Sequence, residues 1–489
     1  MCCNCCSVRQ RKIWVFTLGT SFLVLGILMI CVWPGLIRKI LYNELPLSKT
    51  SRTYDKWFVT PIPIYMHMYL WNWTNPEEAT NPDVKPNFVP MGPYVFREAK
   101  IKEDVEWHEN KTVTYFGTRT WFFVPEKTNG TLDDLITCPN VGSVSVASQM
   151  YDEGFAKKLL LNTLLNANGG SLTWTKTAEE WLFKGFYDEF LDFAVGLNRP
   201  DVPIESPYFA LFLGRNGTKD YEGTYTVHTG QGDLSQMGQL THWNGSTHTG
   251  FYEGECGKVN GSTGDLWVPN RPRDEAISMF IPDTCRYINL FAGENRRKLG
   301  IDAIQYATNE MTFDSGEKYP NMKCFCPKES DHCQKTGVID LGPCTEGAPM
   351  YMSHSHFYLA DPSYRENITG TAPDPKEHAF SILMEPTLGV PLEVHADVMI
   401  SLRIRRDDDF KIFRNIHEEF YAPFFTISQR AEIDEALAAE VRLALNLPSY
   451  GVYGGIAFTA IGAIMLIIGI YLTITRNWKR HDNDGLIKN

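Results

Sequence analysis

The residues of this chain best equipped for chemistry are its cysteines and histidines. Four of the twelve cysteines, Cys2, Cys3, Cys5 and Cys6, crowd the start MCCNCC, and Arg9, Arg11 and Lys12 follow. Thiols so dense can hold a soft metal, form disulfides or carry thioester-linked acyl chains, and the compartment decides among these. Six more, Cys256, Cys285, Cys324, Cys326, Cys333 and Cys344, fall within about ninety residues, while Cys138 stands apart. In KCFCPKESDHC the C-x-C spacing departs from the pairs of a zinc ribbon, so no metal is expected. Cys324 and Cys326, same-faced if the segment is a strand, cannot easily bridge each other across one residue. Each needs its own partner, and a three-bridge framework follows, with Cys138 left as a buried thiol or an intermolecular link. Ser353-His354-Ser355-His356 could suggest a nucleophile or a metal site, but it alternates inside an aromatic strand and reads as structural. The G-x-G of THTGQGDLSQMG reads as a hairpin turn. With GxSxG, HExxH, P-loop and zinc-deaminase signatures absent, neither catalysis nor a cofactor is expected.

The elements that position these groups begin with two uncharged runs, 13–37 and 451–475. At about 1.5 Å per helical residue, either can cross a hydrocarbon core of roughly 30 Å. The first is too long for a signal-peptide core and is preceded by basic residues; the second is followed at once by Arg476, Lys479 and Arg480. Both tails, 1–12 and 476–489, are therefore placed in the cytosol. Residues 38–450 then face the exterior or a lumen, and all seven Asn-x-Ser/Thr sequons (Asn72, Asn110, Asn129, Asn216, Asn244, Asn260, Asn367) fall there. On this topology the first four thiols are reduced and membrane-adjacent, which favours S-acylation, and the later six meet an oxidising space. The exterior part holds 39 basic against 56 acidic residues, a net charge of about −17 that argues against nucleic acid as a partner.

Period-two alternation marks strands at 63–73, 113–124 and, without a break, from Leu392 to Ile404. Helical spacing places Leu160, Leu161, Leu164 and Leu165 on one face, with Lys157 and Lys158 off it and a stop at Gly169–Gly170. Thr177-x-x-Glu180 reads as a capping box before WLFKGFYDEFLDF. AEIDEALAAEVRLALNLP reads as a helix that stops before Pro448 and leads into the second span. The fold class is α+β, predominantly antiparallel β, with a helical insertion at about 148–195.

These pieces resemble the class B scavenger receptors over nearly the whole chain. The resemblance is carried by TNPEEA with GPYVFRE, DTCRYI around Cys285, KCFCPK, PMYMSHSHFYLAD, MEPTLG and the two terminal spans; the cysteine-rich start is most similar to insect members of the croquemort type. It implies an antiparallel β-barrel with a hydrophobic tunnel, topped by a helical ligand-recognising apex, and the disulfides Cys256–Cys324, Cys285–Cys344 and Cys326–Cys333. It also implies a surface receptor for lipids, lipoproteins or lipid-bearing particles such as dying cells and microbes, or alternatively an endolysosomal sorting receptor or lipid exporter. The expected apex residues are Phe155, Lys157, Lys158, Leu160, Leu161, Leu164 and Lys184. Where fatty-acid translocase has a lysine after the asparagine ending this helix, the chain reads Asn166-Ala167-Asn168, so a fatty-acid carboxylate loses an obvious partner there. In the tail, Asp482 with Leu486 and Ile487 fits an acidic dileucine signal for clathrin adaptors. Gly451, Gly455, Thr459 and Ala463 form a small-residue stripe open to homo-oligomer packing.

Overall fold

A computed structural model of the chain describes residues 7–196, 206–326, 333–345 and 347–479. The chain forms two units: the terminal segments up to Leu45 and from Glu435, and the intervening Pro46–Asp434.

The terminal unit is a pair of helices, Val8–Glu44 and Glu435–Ile474, each long and apolar enough to span a membrane. Ser7 starts the first with a reciprocal capping box: its Oγ accepts the Gln10 N–H and the Gln10 side chain accepts the Ser7 N–H. Glycines set the contact between the two helices. A Cβ on Gly26 would come within 2.6 Å of the Gly455 carbonyl and still closer to Thr459; one on Gly462 would meet the Gly19 carbonyl at 2.6 Å. Gly451, Gly455 and Thr459 of the small-residue stripe thus pack against the first helix of the same chain. The second helix does not stop before Pro448 but runs through it. Proline deletes one helical hydrogen bond. Here the Trp33 indole lies against Gly451 and donates to the Leu447 carbonyl at 3.0 Å, bracing the turn from outside.

The larger unit is built on a 13-stranded sheet. Its strands in chain order are β1 (Ile64–Trp73), β2 (Phe88–Trp107), β3 (Thr112–Phe123), β4 (Thr224–His228), β5 (Leu240–Trp243), β6 (Ile277–Ile281), β7 (Arg286–Lys298), β8 (Ile301–Ala307), β9 (Val338–Asp340), β10 (Met350–Ser353), β11 (Ser381–Glu385), β12 (Val390–Ile404) and β13 (Phe420–Glu432). The path runs β6-β7-β8-β11-β12-β13-β1-β2-β3-β4-β5, with β10 on β12 and β9 on β10, every pairing antiparallel. One short stretch bridges the two free edges. Gly261 accepts from the Leu240 N–H at 2.8 Å, and Ser262 exchanges bonds with Ser278 and Phe280 at 2.8 and 2.9 Å. The sheet is thereby nearly closed into a barrel, which removes edges that would otherwise pair with other chains. Gly261 has φ +90°, and a Cβ there would press on the Ser278 carbonyl at 2.7 Å.

The alternating apolar side of β12 packs inward: Leu402 and Ile404 join one core cluster with Trp71, Trp73, Phe88 and Phe424, and Ile400 joins a second with Ile288, Leu290, Phe380 and Ile382. Three disulfides, Cys256–Cys324, Cys285–Cys344 and Cys326–Cys333, tie the loops around β6 and β7, in the pairs that the resemblance implies. Cys324 lies in a 3₁₀ turn, Pro320–Phe325, rather than a strand. Cys138 is buried, and its thiol donates to the Trp71 carbonyl.

Candidate functional site: the helical insertion

The insertion between β3 and β4 starts earlier than its leucine pattern indicates. Leu135–Pro139 pairs with Thr173–Thr177, and between them stand α1 (Val141–Gln149), capped by Asn140, and α2 (Phe155–Ala167). The Thr177–Glu180 capping box forms, but the helix it opens ends at Gly185, whose φ of +78° breaks it. A short strand, Phe186–Tyr187, intervenes before α3 (Glu189–Gly196). Alternation in WLFKGFYDEFLDF is helical on either side of that glycine, which hid the break.

On α2, Leu165 is fully buried and Leu161 packs against the core, while Leu164 is half-buried. The opposite face is open: Phe155 is 65% exposed, Leu160 60% and Leu159 49%. Leucine spacing alone put Leu160 with the core leucines; the helix is apolar around most of its girth, and the anchor positions are set by what lies beneath. Lys158, three residues before Leu161, shares the buried face. Its ammonium lies 2.8 Å from Asp407 and 3.7 Å from Asp409. Against the desolvation of burial, the Asp407 carboxylate holds this ammonium above its ordinary value. Arg405 stacks on Tyr151 at 3.6 Å beside this pair. Lys157 reaches Glu153 at 2.7 Å on the surface, and Lys184, on the separate turn Glu180–Lys184, lies 3.7 Å from Glu179. So α2 leaves Phe155, Lys157 and Leu160 exposed, Leu164 is half-buried, Lys158 turns inward, and Lys184 belongs to a different element. At the end of α2 the Asn168 amide caps the Leu164 carbonyl at 2.8 Å and Ala167 is exposed, so no ammonium stands there. Asp407, Asp409 and Leu159 carried little signal in the sequence: for the aspartates only the acidic run in RRDDDF, for Leu159 only its place in the leucine run.

This surface can offer apolar area with its lysines already matched to carboxylates. The cavity between α1 and the end of β12, lined by Val144, Ala147, Tyr151, Ile404 and Phe413, measures about 10 Å³, room for a single water.

Of the sequon asparagines, Asn110, Asn129, Asn216 and Asn244 are exposed, and Asn72, Asn260 and Asn367 are half-buried. Asn72 sits in β1 between buried Trp71 and Trp73, and its side-chain Oδ1 accepts the Thr137 N–H at 2.9 Å. Strand β10 ends at Ser353, so of the SHSH motif only His354-Ser355-His356 turns out of the sheet. Burial pushes the fully enclosed His354 down to about 3, and its Nε2 lies 2.7 Å from Thr308 Oγ1. Among the described residues no group of three or more His, Cys, Asp and Glu is placed to hold a metal. Cys2, Cys3, Cys5, Cys6, Asp482, Leu486 and Ile487 lie outside the described residues.

Comparison with known proteins agrees with this architecture. A family profile described as the CD36 family matches residues 17–473. Protein peste of Drosophila melanogaster is 33% identical over 434 residues, 88% of this chain and 77% of that protein. Scavenger receptor class B member 1 of Rattus norvegicus is 31% identical over 404 residues, 81% of this chain and 77% of the other. Lysosome membrane protein 2 of the same species is 29% identical over 481 residues, 97% of this chain and 95% of its own length. With the family match spanning both terminal helices and the sheet between them, the chain belongs to the CD36 family, the class B scavenger receptors.

Proposed function

We propose that this chain is a surface receptor that binds lipids, lipoproteins or lipid-bearing particles, such as dying cells and microbes, and mediates their uptake, with apolar cargo passing through the barrel interior. The observation that carries the reading is the outward apolar face of α2, Phe155, Leu159 and Leu160, on a helix whose own lysines are matched. Recognition there is apolar, not ionic: burying one such side chain against lipid contributes about 1.5–3 kcal/mol. Acylation of Cys2, Cys3, Cys5 and Cys6 anchors the cytosolic start, and Asp482 with Leu486 and Ile487 engages clathrin adaptors. A lysosomal reading is favoured by the match to lysosome membrane protein 2 along nearly the full length; Leu486→Ala, which raises surface labelling if the tail signal works, separates the two.

The test uses cells expressing the full chain and fluorescent phosphatidylcholine vesicles. Phe155→Ser with Leu160→Ser lowers vesicle binding about tenfold or more at equal surface level, matching the loss of 1.4 kcal/mol or more, and Lys157→Gln leaves it within about twofold. Loss with Lys157→Gln and none with the apolar pair assigns recognition to charge and overturns the placement.

A further inference from the structure

The histidines left over from the SHSH motif meet a second group on the sheet. Register sets His67 of β1, Ser428 of β13 and Asp397 of β12 side by side on one face, with Arg430 and His395 in the adjoining row. Over that face lie residues 371–379, TAPDPKEHA, most of whose side chains are exposed. Three contacts dock them. The Ala372 N–H donates to His356 Nδ1 at 3.0 Å, the His378 ring stacks on His356 with centroids 4.4 Å apart, and Glu377 lies 3.5 Å from Arg430. A fourth bond shapes the segment from within: the Asp374 N–H donates to His378 Nδ1 at 2.9 Å. Both stacked rings therefore accept a backbone proton at Nδ1, which only a neutral imidazole with its hydrogen on Nε2 can do. His356 itself is held at φ +54°, a left-handed conformation costly for a non-glycine residue.

We propose that residues 371–379 form an acid-released flap: protonation of His356 and His378 breaks the Ala372–His356 bond that helps dock the segment and the Asp374–His378 bond that helps shape it, and places two like charges in stacking contact. The surroundings supply little relief. The Trp71 ring packs edge-on against His356 at 4.8 Å, and the Arg430 guanidinium lies 3.5 Å from Glu377. Facing carboxylates are Asp374 and Glu377, the latter also paired with Arg430; both favour a charged His378, against the larger effect of burial. Beneath the flap, His395 is flanked by Glu393, and His67 by Lys127; burial holds both imidazoles below their ordinary range, as it does His356, at about 4, and His378. Tyr69 stays neutral throughout.

The sign follows from linkage. A ring with a docked value near 4 and a free value of 6.5 keeps the flap closed above pH 6.5 and loses that contribution as pH falls, by about 40-fold between pH 7.4 and 4.8. Asp397 works the other way, because burial raises its carboxyl to about 7 and a proton there favours the closed face. Ser428 and Ser355 lie outside the flap, but Glu377, whose charge helps raise the Asp397 carboxyl, is part of it, so opening relieves that contribution.

Amide hydrogen exchange on the full chain in detergent, at pH 7.4 and 4.8 and normalised to the intrinsic rate at each pH, tests this. Protection across 371–379 falls tenfold or more at pH 4.8 while strand 64–73 holds; unchanged protection overturns the flap. His356→Asn with His378→Asn, which keeps a non-titrating acceptor near each Nδ1 position, abolishes the pH response, and a response equal to wild type overturns the assignment to these rings. If that double variant is unprotected at both pH values, Asp397→Asn decides: it deepens the acid loss if the balance above holds, and an unaltered loss refutes it.

Discussion

Lys158 shows how much a single position depends on what lies beneath it. On a helical wheel it neighbours Lys157 and reads as a second surface cation, yet it is buried against Asp407. Removing one partner of a buried pair strands the other charge, which costs about 3–5 kcal/mol. Lys158→Met therefore lowers the thermal midpoint of the detergent-solubilised chain by that equivalent, and adding Asp407→Leu recovers most of the loss. Lys157→Gln breaks only an exposed pair and moves the midpoint by less than about 1 kcal/mol. Neither aspartate partner could be found from the helix, because residues 407 and 409 reach it from the far end of β12.

At the level of elements, period-two alternation located β1, β3 and β12, and uncharged length located both terminal helices, but neither signal marked the long strands β2, β7 and β13. Local pattern also failed where one residue outweighs it: Gly185 divides an apparently continuous helix, and Pro448 does not end one. The helix pair between the termini makes a sharp prediction. Gly26 touches the facing backbone, whereas a Cβ on Gly35 meets nothing within 4 Å. Gly26→Leu forces the helices apart at an overpacking cost of about 1–3 kcal/mol or more, while Gly35→Leu is neutral. Thermal denaturation in detergent, read alongside surface delivery, distinguishes the two.

For the whole molecule, acid is the informative perturbation. His354 is neutral in the fold and held at about 3 by burial. Its stabilising contribution is complete above pH 6.5 and is lost as pH falls, amounting to about 2–3 kcal/mol at pH 4.5. His67 adds the same sign, and Asp397, raised to about 7, contributes stability in acid that is lost as pH rises. The histidines outnumber it, so the melting midpoint is lower at pH 4.5 than at pH 7.4; a higher midpoint in acid reverses that balance. Chain composition and order alone determined the two apolar termini, the sequon-bearing stretch between them, the strand-rich class and the family motifs, because hydropathy, periodicity and short motifs are properties of neighbouring residues. Only the tertiary structure decided which helix face points outward, that Gly451, Gly455 and Thr459 pack within one chain, that the Lys158 ammonium is paired with Asp407, and that four histidines converge on one sheet face. Each of those depends on contacts between segments tens to hundreds of residues apart, and no local pattern encodes which distant carboxylate, glycine or strand will arrive.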